Sequence, residues 1–297
     1  MKKLIPVAMI LAAQALCAQN PSLYECIYQY DVNGRSEKGP LSETYNCMLQ
    51  IGEEKSRFVD YSVYQLDSVS AIKGVSDELL KEYEQREQKV FPYFDRRISY
   101  SGSDSKLTIL GLIGLNYAKY EENVPVTDWK LVGGAETVCG YECKKATGNY
   151  GGRDWTVWYA EEIPVPFGPW KFVGLPGLVM KAVDSDSIHS FTAISFRQGS
   201  GEISADKIPN VIKMDHEKFE EQKYLNDKDA FGNINPADIE SITVIDKKRL
   251  IINGNTVRIK ENGFIPLEKV EIDQNEKTPL GSSWESVKVV GAGSAKH

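Results

Sequence analysis

The feature that most constrains this chain is a run of glycine, proline and large apolar residues at residues 167–180, here called the Gly-Pro segment. Proline breaks a helix because it lacks a backbone N–H and fixes φ, and three glycines interrupt the same run. The segment is too apolar for a flexible linker, since Phe, Trp, Leu, Val and Met fill most other positions. We therefore expect two sharp turns that feed a buried strand.

Alternation of apolar and polar residues predicts that most of the chain is β-sheet. One face of the first strand carries Tyr24, Cys26, Tyr28, Tyr30 and Val32. Strands are also predicted at residues 57–63 and 264–272, and Asn253-Gly254 is the strongest hairpin signal. Helices do not alternate regularly with these strands, which argues against a parallel α/β sheet.

The sequence predicts two helices. Ser76 is a candidate N-cap of a helix that reaches about Glu87, and Asp215 begins a second helix that reaches about Tyr224. We expect a mainly β (α+β) fold with one antiparallel, strongly curved sheet or open half-barrel and about two helices on its concave side. By analogy, this arrangement resembles the architecture of periplasmic lipoprotein carriers.

The first residues have the pattern of a secretory signal. Two lysines precede an apolar stretch at residues 4–16, and Ala18 supplies the small residue before a predicted cleavage site. Lipid attachment at Cys17 is not expected, because a lipid-modified cysteine usually follows a small residue and Leu16 precedes this one.

The signal sets the predicted domain boundaries. Residues 1–18 are the signal peptide, residues 19–272 form a single β-rich domain, and the polar and small residues 273–297 are a disordered tail. A formal net charge of −7 argues against nucleic acid or an anionic membrane surface as a partner. No later stretch is apolar enough to span a membrane.

Four cysteines remain after the signal: Cys26, Cys47, Cys139 and Cys143. An even count in an exported protein suggests disulfides. Cys26 and Cys47 lie symmetrically about the turn-rich residues 33–40, so a hairpin there would bring them face to face, and a disulfide between them is the pairing that we favour. Cys139 and Cys143 would lie about 13 Å apart on one extended strand, beyond disulfide reach unless Gly140 bends the chain. Pairing of each with an N-terminal cysteine stays open, and the spacing does not favour zinc.

Established catalytic and nucleotide-binding motifs are absent from the sequence. His216 and Glu220 have a spacing that can place both on one helix face for a metal ion. Because their neighbourhood is highly charged, we expect a solvated helix face there, with no metal and no cofactor.

The carboxylates near the Gly-Pro segment are Asp154, Glu161 and Glu162. Two such acids beside Trp155, Trp158 and Trp170 would be the elements of a glycosidase. The alternative, which we favour, is that the acids face solvent and the aromatic rings fill the core. Gly174, Pro176 and Gly177, with the same three tryptophans, are the candidate ligand-binding or partner-binding residues.

Several segments together resemble the GLPGLI family of bacterial envelope proteins. Gly174-Leu175-Pro176-Gly177-Leu178-Val179 matches the motif that names the family, with Val179 in place of isoleucine. The other matching segments are Gly140 to Ala146, Gly152 to Trp155 followed by Trp158-Tyr159, Glu162 to Pro164, Gly168 to Phe172, Met48 to Gly52 with Ser56 to Phe58, and Pro266 to Glu268. A further departure is Ala160, where threonine is common. The resemblance covers most of residues 20–272 and implies a periplasmic or secreted protein of a Gram-negative cell envelope, with no catalytic residue to transfer.

Two functional hypotheses follow. The first is a non-catalytic envelope protein that binds a partner or an apolar ligand in the concavity of its sheet. The second is an envelope hydrolase of glycan or peptide that uses Asp154, Glu161 or Glu162. The separation of these carboxylates in the folded chain distinguishes the two hypotheses.

Overall fold

The computed structural model of the chain describes residues 20–89, 94–206, 208–260 and 263–269. The helices among these residues are α1 (Tyr61–Ser70), α2 (Asp77–Lys89) and α3 (His216–Lys228), with a short 3₁₀ helix at Pro236–Asp238. The strands are β1 (Tyr24–Ser36), β2 (Gly39–Ile51), β3 (Lys55–Asp60), β4 (Arg97–Ser101), β5 (Lys106–Ile113), β6 (Asn116–Asn123), β7 (Lys130–Val138), β8 (Tyr141–Tyr150), β9 (Arg153–Ala160), β10 (Leu178–Asp184), β11 (His189–Gln198), β12 (Ile212–Lys213), β13 (Ile242–Asp246), β14 (Arg249–Ile252) and β15 (Asn255–Arg258). The predicted signal peptide, Cys17 and the predicted tail lie outside the described residues.

Twelve of these strands form one open sheet in the order β12-β6-β5-β4-β3-β2-β1-β11-β10-β9-β8-β7. Neighbouring strands are antiparallel, except that the two-residue β12 runs parallel to β6. The expectation of a mainly β fold with a large antiparallel sheet is confirmed. A separate sheet of three strands, in the order β13-β14-β15, was not expected.

The core lies on the inner face of the large sheet. On β1 the alternating residues Cys26, Tyr28, Tyr30 and Val32 are all at most 1% exposed, as their period of two predicts. Tyr141 on β8 packs edge-on against Phe196 on β11, with ring centroids 5.6 Å apart. Three strand spacings would separate these strands by roughly 14 Å in a flat sheet, so the sheet curls strongly toward its inner face.

The two predicted helices are present as α2 and α3, and their caps are the expected ones. Ser76 accepts a hydrogen bond from Leu79 N–H at 3.3 Å, and Asp215 accepts one from Lys218 N–H at 2.8 Å. Helix α3 packs on the inner face against β5 and β6, with Phe219 buried in the core.

Helix α1 was not predicted, and the strand expected at residues 57–63 is wrong beyond Asp60. The Asp60 carboxylate accepts a hydrogen bond from Ser62 N–H at 2.8 Å, which caps the helix and ends β3. Tyr64 of α1 packs on Met48 and Val59, which point to the outer face of the sheet. The large sheet is therefore covered on both faces.

The predicted disulfide between Cys26 and Cys47 is wrong, and all four described cysteines are free thiols. The register of the β1–β2 hairpin pairs Cys26 with Leu49 and Cys47 with Tyr28. The hairpin turn is one residue later than the symmetry of the cysteines requires. The two thiols therefore occupy diagonal positions, about 7–8 Å apart between backbones, where a disulfide does not close.

Of the two remaining predictions, the hairpin at Asn253-Gly254 is confirmed and the strand at residues 264–272 is not. Asn253 and Gly254 have φ values of +48 and +80 and join β14 to β15, as expected of Asn-Gly in a tight hairpin. The strand predicted at residues 264–272 is absent from residues 264–269, and its last three residues lie outside the described part of the chain.

Candidate functional site

The connection between β9 and β10, residues 161–177, carries most of the Gly-Pro segment and lies against the inner face of the large sheet. Leu178 N–H donates to Ile163 O at 3.0 Å, and Val179 N–H donates to Phe167 O at 2.9 Å. Its buried apolar side chains are Ile163, Phe167, Trp170, Phe172 and Leu175. The predicted buried strand follows directly, because β10 begins at Leu178. The segment is part of the core and not a surface loop.

Gly174, Pro176 and Gly177, the candidate binding residues of this segment, lie in different environments. Gly174 is exposed with a φ of +93, and Pro176 is also exposed. Gly177 is buried, and a Cβ atom there would lie only 2.2 Å from Ala160 O. Gly177 therefore permits close approach of two backbones. A binding role for the three residues stays a prediction.

The three candidate tryptophans do not form one wall. Trp155 and Trp170 contact each other in the core, with ring centroids 5.6 Å apart and 1% and 2% exposure. Trp158 points to the outer face, where Lys145 Nζ and Lys181 Nζ lie 5.4 Å and 4.7 Å from its ring centroid. Only Trp158 is accessible without unfolding, and its binding role also stays a prediction.

Lys171 places the charge of the Gly-Pro segment at the centre of a buried polar cluster. Its side chain is fully buried, and its Nζ lies 2.9 Å from Glu122 Oε1 and in contact with the carboxylate of Glu268. Nζ also donates to the Tyr120 hydroxyl at 2.7 Å, and the Tyr150 hydroxyl donates to Glu122 at 3.3 Å. The ammonium group thus joins the Gly-Pro segment to β6 and to residues 263–269.

Helix α3 completes this cluster. His216 Nε2 lies 3.1 Å from Glu268 Oε2, and the His216 ring stacks on Tyr120 with centroids 4.6 Å apart. One turn later, Glu220 accepts hydrogen bonds from the Tyr120 hydroxyl at 3.2 Å and from Arg96 Nη2 at 2.7 Å. Glu220 is 3% exposed. The expectation of a solvated helix face is therefore wrong for Glu220, whereas the His216 side chain is 47% exposed.

His216, Glu220 and Glu268 have the geometry to hold a metal ion, since their ligand atoms all lie within 4.8 Å of one another. Lys171 and Arg96 already neutralise two of the cluster's carboxylate charges. Three carboxylates and two permanent cations leave one negative charge, which a protonated histidine balances. The donor set therefore fits an ion-pair network with a charged His216 better than it fits a divalent cation.

The pKa values agree with this view of the cluster. Burial alone raises the pKa of Glu268, but Lys171, His216 and Arg96 outweigh burial and lower it to about 2. The hydrogen bond to Glu268 raises the pKa of His216. Burial raises the pKa of Tyr120 well above its ordinary value, so the hydroxyl keeps its proton. The cluster is a set of fixed charges that holds α3, β6, residues 263–269 and the Gly-Pro segment together.

An open cleft of about 450 Å³ lies beside the cluster and reaches from α1 and α2 to β15. Its cationic lining residues are Arg96, Arg97, Arg258 and Lys260. Its acidic lining residues are Asp60, Asp67, Glu84, Glu87, Asp95 and Asp227. Arg96 belongs to both the cleft and the cluster, so the two features are continuous.

Ion pairs hold the charged side chains of the cleft in place. Arg258 Nη2 lies 2.8 Å from Glu87, which joins β15 to α2. Lys260 Nζ lies 2.8 Å from Asp227, and the buried Lys223 bridges Asp227 at 2.6 Å and Asp95 at 2.8 Å. Burial raises the pKa of Asp60, the N-cap of α1, to about 6. The cleft therefore offers rigid, oriented charges to a ligand.

The structure separates the carboxylates of the hydrolase hypothesis. Asp154 is exposed at the start of β9 and accepts a hydrogen bond from Asn149 at 2.9 Å. Glu161 follows the end of the same strand, about 23 Å away at strand spacing, and pairs with Lys144 at 2.6 Å. Glu162 is exposed beside it. Asp154 is thus much too far from the other two for the 5–10 Å separation of a glycosidase pair.

Sequence reasoning placed His216 and Glu220 on one helix face but missed the other residues that the fold brings to them. Lys171 lies within the Gly-Pro segment but carries no motif of its own, and Arg96 has no sequence signal at all. A lysine inside an otherwise apolar run is the one signal that could have found the cluster, because a buried cation requires buried acids.

Among known proteins, residues 152–181 match a family described as "Protein of unknown function (Porph_ging)". The matched residues comprise β9, the connection that contains the Gly-Pro segment and the first residues of β10. The match is to an uncharacterised family, and the resemblance to the GLPGLI family is consistent with it. No curated protein matches the chain.

Two solved proteins are similar to parts of this chain. PNGF-II, known in C2 and P2₁ crystal forms, is 16% identical with a TM-score of 0.48, and the match covers 69% and 67% of this chain. This chain spans a third of the length of PNGF-II (33%). A LolA superfamily protein, NE2245 from Nitrosomonas europaea, is 8% identical with a TM-score of 0.25, covering 69% of this chain and 97% of its own. Neither likeness carries over an activity or a ligand.

Within the described residues, no helix is long and apolar enough to cross a membrane.

Proposed function

We propose that this protein is a non-catalytic binding protein of the cell envelope that holds a polar ligand, or a charged segment of a partner protein, in the cleft between α1, α2 and β15. The location in the envelope rests on the secretory signal predicted at residues 1–18 and on the resemblance to envelope proteins. The single observation that carries the binding role is the cleft itself.

The size and charge of the cleft support a polar ligand. A volume of about 450 Å³ lies within the ordinary range of small-molecule sites. Among the described residues, ten charged side chains line it, four cationic and six acidic. An apolar ligand, which the sequence suggested, would desolvate these charges without replacing their hydrogen bonds. A ligand with its own charged or hydrogen-bonding groups avoids that cost.

The ion pairs of the site support binding without catalysis. The Glu122, Glu220 and Glu268 carboxylates are held by Lys171 and Arg96, so none of them is available as a nucleophile or general base. No observation on the described residues favours the hydrolase hypothesis.

Native mass spectrometry of the protein purified from its own envelope tests this proposal. We expect a bound polar molecule or partner that survives gentle ionisation. Arg258→Ala, which removes a cleft cation, should reduce the bound fraction at least about tenfold. Arg86→Ala is the matched control, because Arg86 pairs with Glu82 at 2.6 Å on exposed faces of α2 outside the cleft.

Two results would contradict the proposal. One is native protein that carries no ligand or partner at all. The other is a bound molecule that Arg258→Ala and Arg86→Ala retain equally, because that molecule would lie elsewhere on the protein.

A further inference from the structure

We propose that Arg57 and Arg97 form an anion subsite of the cleft for a ligand carboxylate, and that Asp206 occupies this subsite in the unliganded protein. This inference rests on the proposed binding function and names the chemical group that the ligand carries. Arg97 and Asp67 line the cleft, and Arg57 lies directly behind them.

Arg57 has more hydrogen-bonding capacity than the protein uses. It lies on β3, pairs in register with Gln50 and Ser99, and is 1% exposed. Its Nη2 donates to Asp67 at 2.6 Å and to Asp206 at 2.8 Å. Within the described part of the chain, its Nε and Nη1 have no hydrogen-bond partner, and neither does Gln50 Oε1 beside it. A buried guanidinium with two unused donor nitrogens is costly unless something else binds it.

Arg97 turns this single cation into a two-arginine site. Arg97 Nη1 donates to the same oxygen of Asp206, Oδ1, at 2.9 Å, and lies 3.8 Å from Asp67. Two guanidinium groups therefore converge on one carboxylate oxygen. Arginine forks recognise carboxylates and phosphates in this way, through charge-assisted hydrogen bonds.

The two aspartates of this site are held very differently. Asp67 lies within α1, so the helix fixes its backbone beside the two arginines. Asp206 ends a strap, residues 199–206, which follows β11. The strap is tied to the N-terminal residues by backbone bonds at Gly199, Gly201 and Ile203. Past Ile203, none of the described strap residues makes a further backbone hydrogen bond. Asp206 can therefore swing away without breaking a backbone hydrogen bond between described residues.

Charge balance selects the ligand group. Two guanidinium groups and two carboxylates are neutral together, and a ligand carboxylate that replaces Asp206 keeps that balance. A phosphate in the same place would add further negative charge beside Asp67. The geometry thus points to a carboxylate, with Asp206 as its internal competitor.

Acetate is the probe for the test, measured by calorimetric titration against the wild type and variants at constant ionic strength. We expect acetate to bind Asp206→Ala at least tenfold more tightly than it binds wild type, because the competitor is gone. The double variant Asp206→Ala/Arg97→Ala should lose this gain. Glu82→Ala, which removes an exposed carboxylate with an arginine partner on α2, should bind acetate no better than wild type.

A second readout separates an occupied binding site from a purely structural ion pair. Saturating acetate should shift the amide NMR resonances of residues 204–206 of the wild type, because it displaces the Asp206 carboxylate from the two arginines. Unchanged resonances there, or equal acetate affinity in wild type and Asp206→Ala, would overturn the inference. Phosphate that binds Asp206→Ala more tightly than acetate would overturn the choice of a carboxylate.

Failure of the anion subsite can be distinguished from failure of the proposed binding function. If native protein carries a cleft ligand that Arg258→Ala releases and Asp206→Ala leaves unchanged, the binding function stands and the anion subsite is wrong.

Discussion

Adding one methyl group at Gly177 tests whether the Gly-Pro segment belongs to the core or is a recognition loop. Gly177 precedes β10 where the chain crosses the end of β9. A Cβ atom there would lie 2.2 Å from Ala160 O, 2.6 Å from Ala160 C and 2.9 Å from Glu161 N. All three atoms are backbone, so no side chain can rotate away to make room.

The loss of stability expected for Gly177→Ala follows from this crowding. Ordinary contacts between heavy atoms are about 3.5–4.0 Å, so the two backbones must separate by more than roughly 1 Å to admit alanine. Overpacking of a well-packed core costs about 1–3 kcal/mol, and we expect Gly177→Ala at the upper end because the obstacle is backbone. For a domain of this size, about 3 kcal/mol lowers the melting temperature by roughly 6–12 °C.

Two other glycines serve as matched controls in urea unfolding followed by circular dichroism. Gly174 has a φ of +93, and a Cβ atom added there would meet no other atom within 4 Å, so Gly174→Ala should cost only the backbone strain of about 1–2 kcal/mol. Gly133 on β7 has neither crowding nor a positive φ, so Gly133→Ala should stay within about 0.5 kcal/mol of wild type.

The order of the three urea midpoints shows whether the Gly-Pro segment belongs to the core or is a recognition loop. If Gly177→Ala unfolds at the same midpoint as Gly133→Ala, the argument from close backbone approach is wrong. If Gly177→Ala in addition abolishes ligand or partner binding at unchanged stability, the Gly-Pro segment is a recognition surface.

Three further predictions concern the charged cluster and the thiols. Lys171→Met should lower the free energy of unfolding in urea by about 3–5 kcal/mol, because it leaves the buried Glu268 and the partly buried Glu122 carboxylates without their cation. A loss below about 1 kcal/mol would contradict a tightly coupled cluster. The pKa of His216 is raised in the folded state by Glu268, so its stabilising contribution is complete below the unfolded value of 6.5 and is lost as pH rises through the raised folded value. The stability advantage of wild type over His216→Gln should therefore shrink as pH rises above 6.5, and a constant difference would refute this assignment. A thiol reagent should modify Cys139 rapidly in the native protein, because it is exposed while the other three described thiols are buried, and peptide mapping that finds a native disulfide would contradict free cysteines.

Local rules account for the parts of the fold that the sequence predicted. The alternation along β1 needs only a period of two and one buried face. Ser76 and Asp215 cap α2 and α3 with their own side chains, and Asn253-Gly254 supplies two residues that tolerate positive φ. Each of these signals lies within a few residues of the structure it produces.

The parts that the sequence did not predict depend on contacts between distant residues or on a shift of a single residue. The register that separates Cys26 from Cys47 follows from a turn one residue later than expected. Arg96 and Glu220 are 124 residues apart in the chain, and Arg57 and Asp206 are 149 apart. No periodicity relates such residues, so charged positions that become buried partners look like ordinary surface charges in the sequence.

The same network connects the Gly-Pro segment to the cleft. From Lys171 Nζ, hydrogen bonds pass through the Tyr120 hydroxyl at 2.7 Å to Glu220 at 3.2 Å and on to Arg96 at 2.7 Å, which lines the cleft. Residues 152–181, which match the uncharacterised family, therefore contribute both core packing and a charge that orients the cleft. Because the three atoms nearest to an added Cβ at Gly177 are backbone atoms at the end of β9, its substitution should weaken folding without altering the charges of the cleft. Loss of the Lys171 ammonium should both weaken folding and alter the charges of the cleft, since Glu220 and Arg96 share its hydrogen-bond chain.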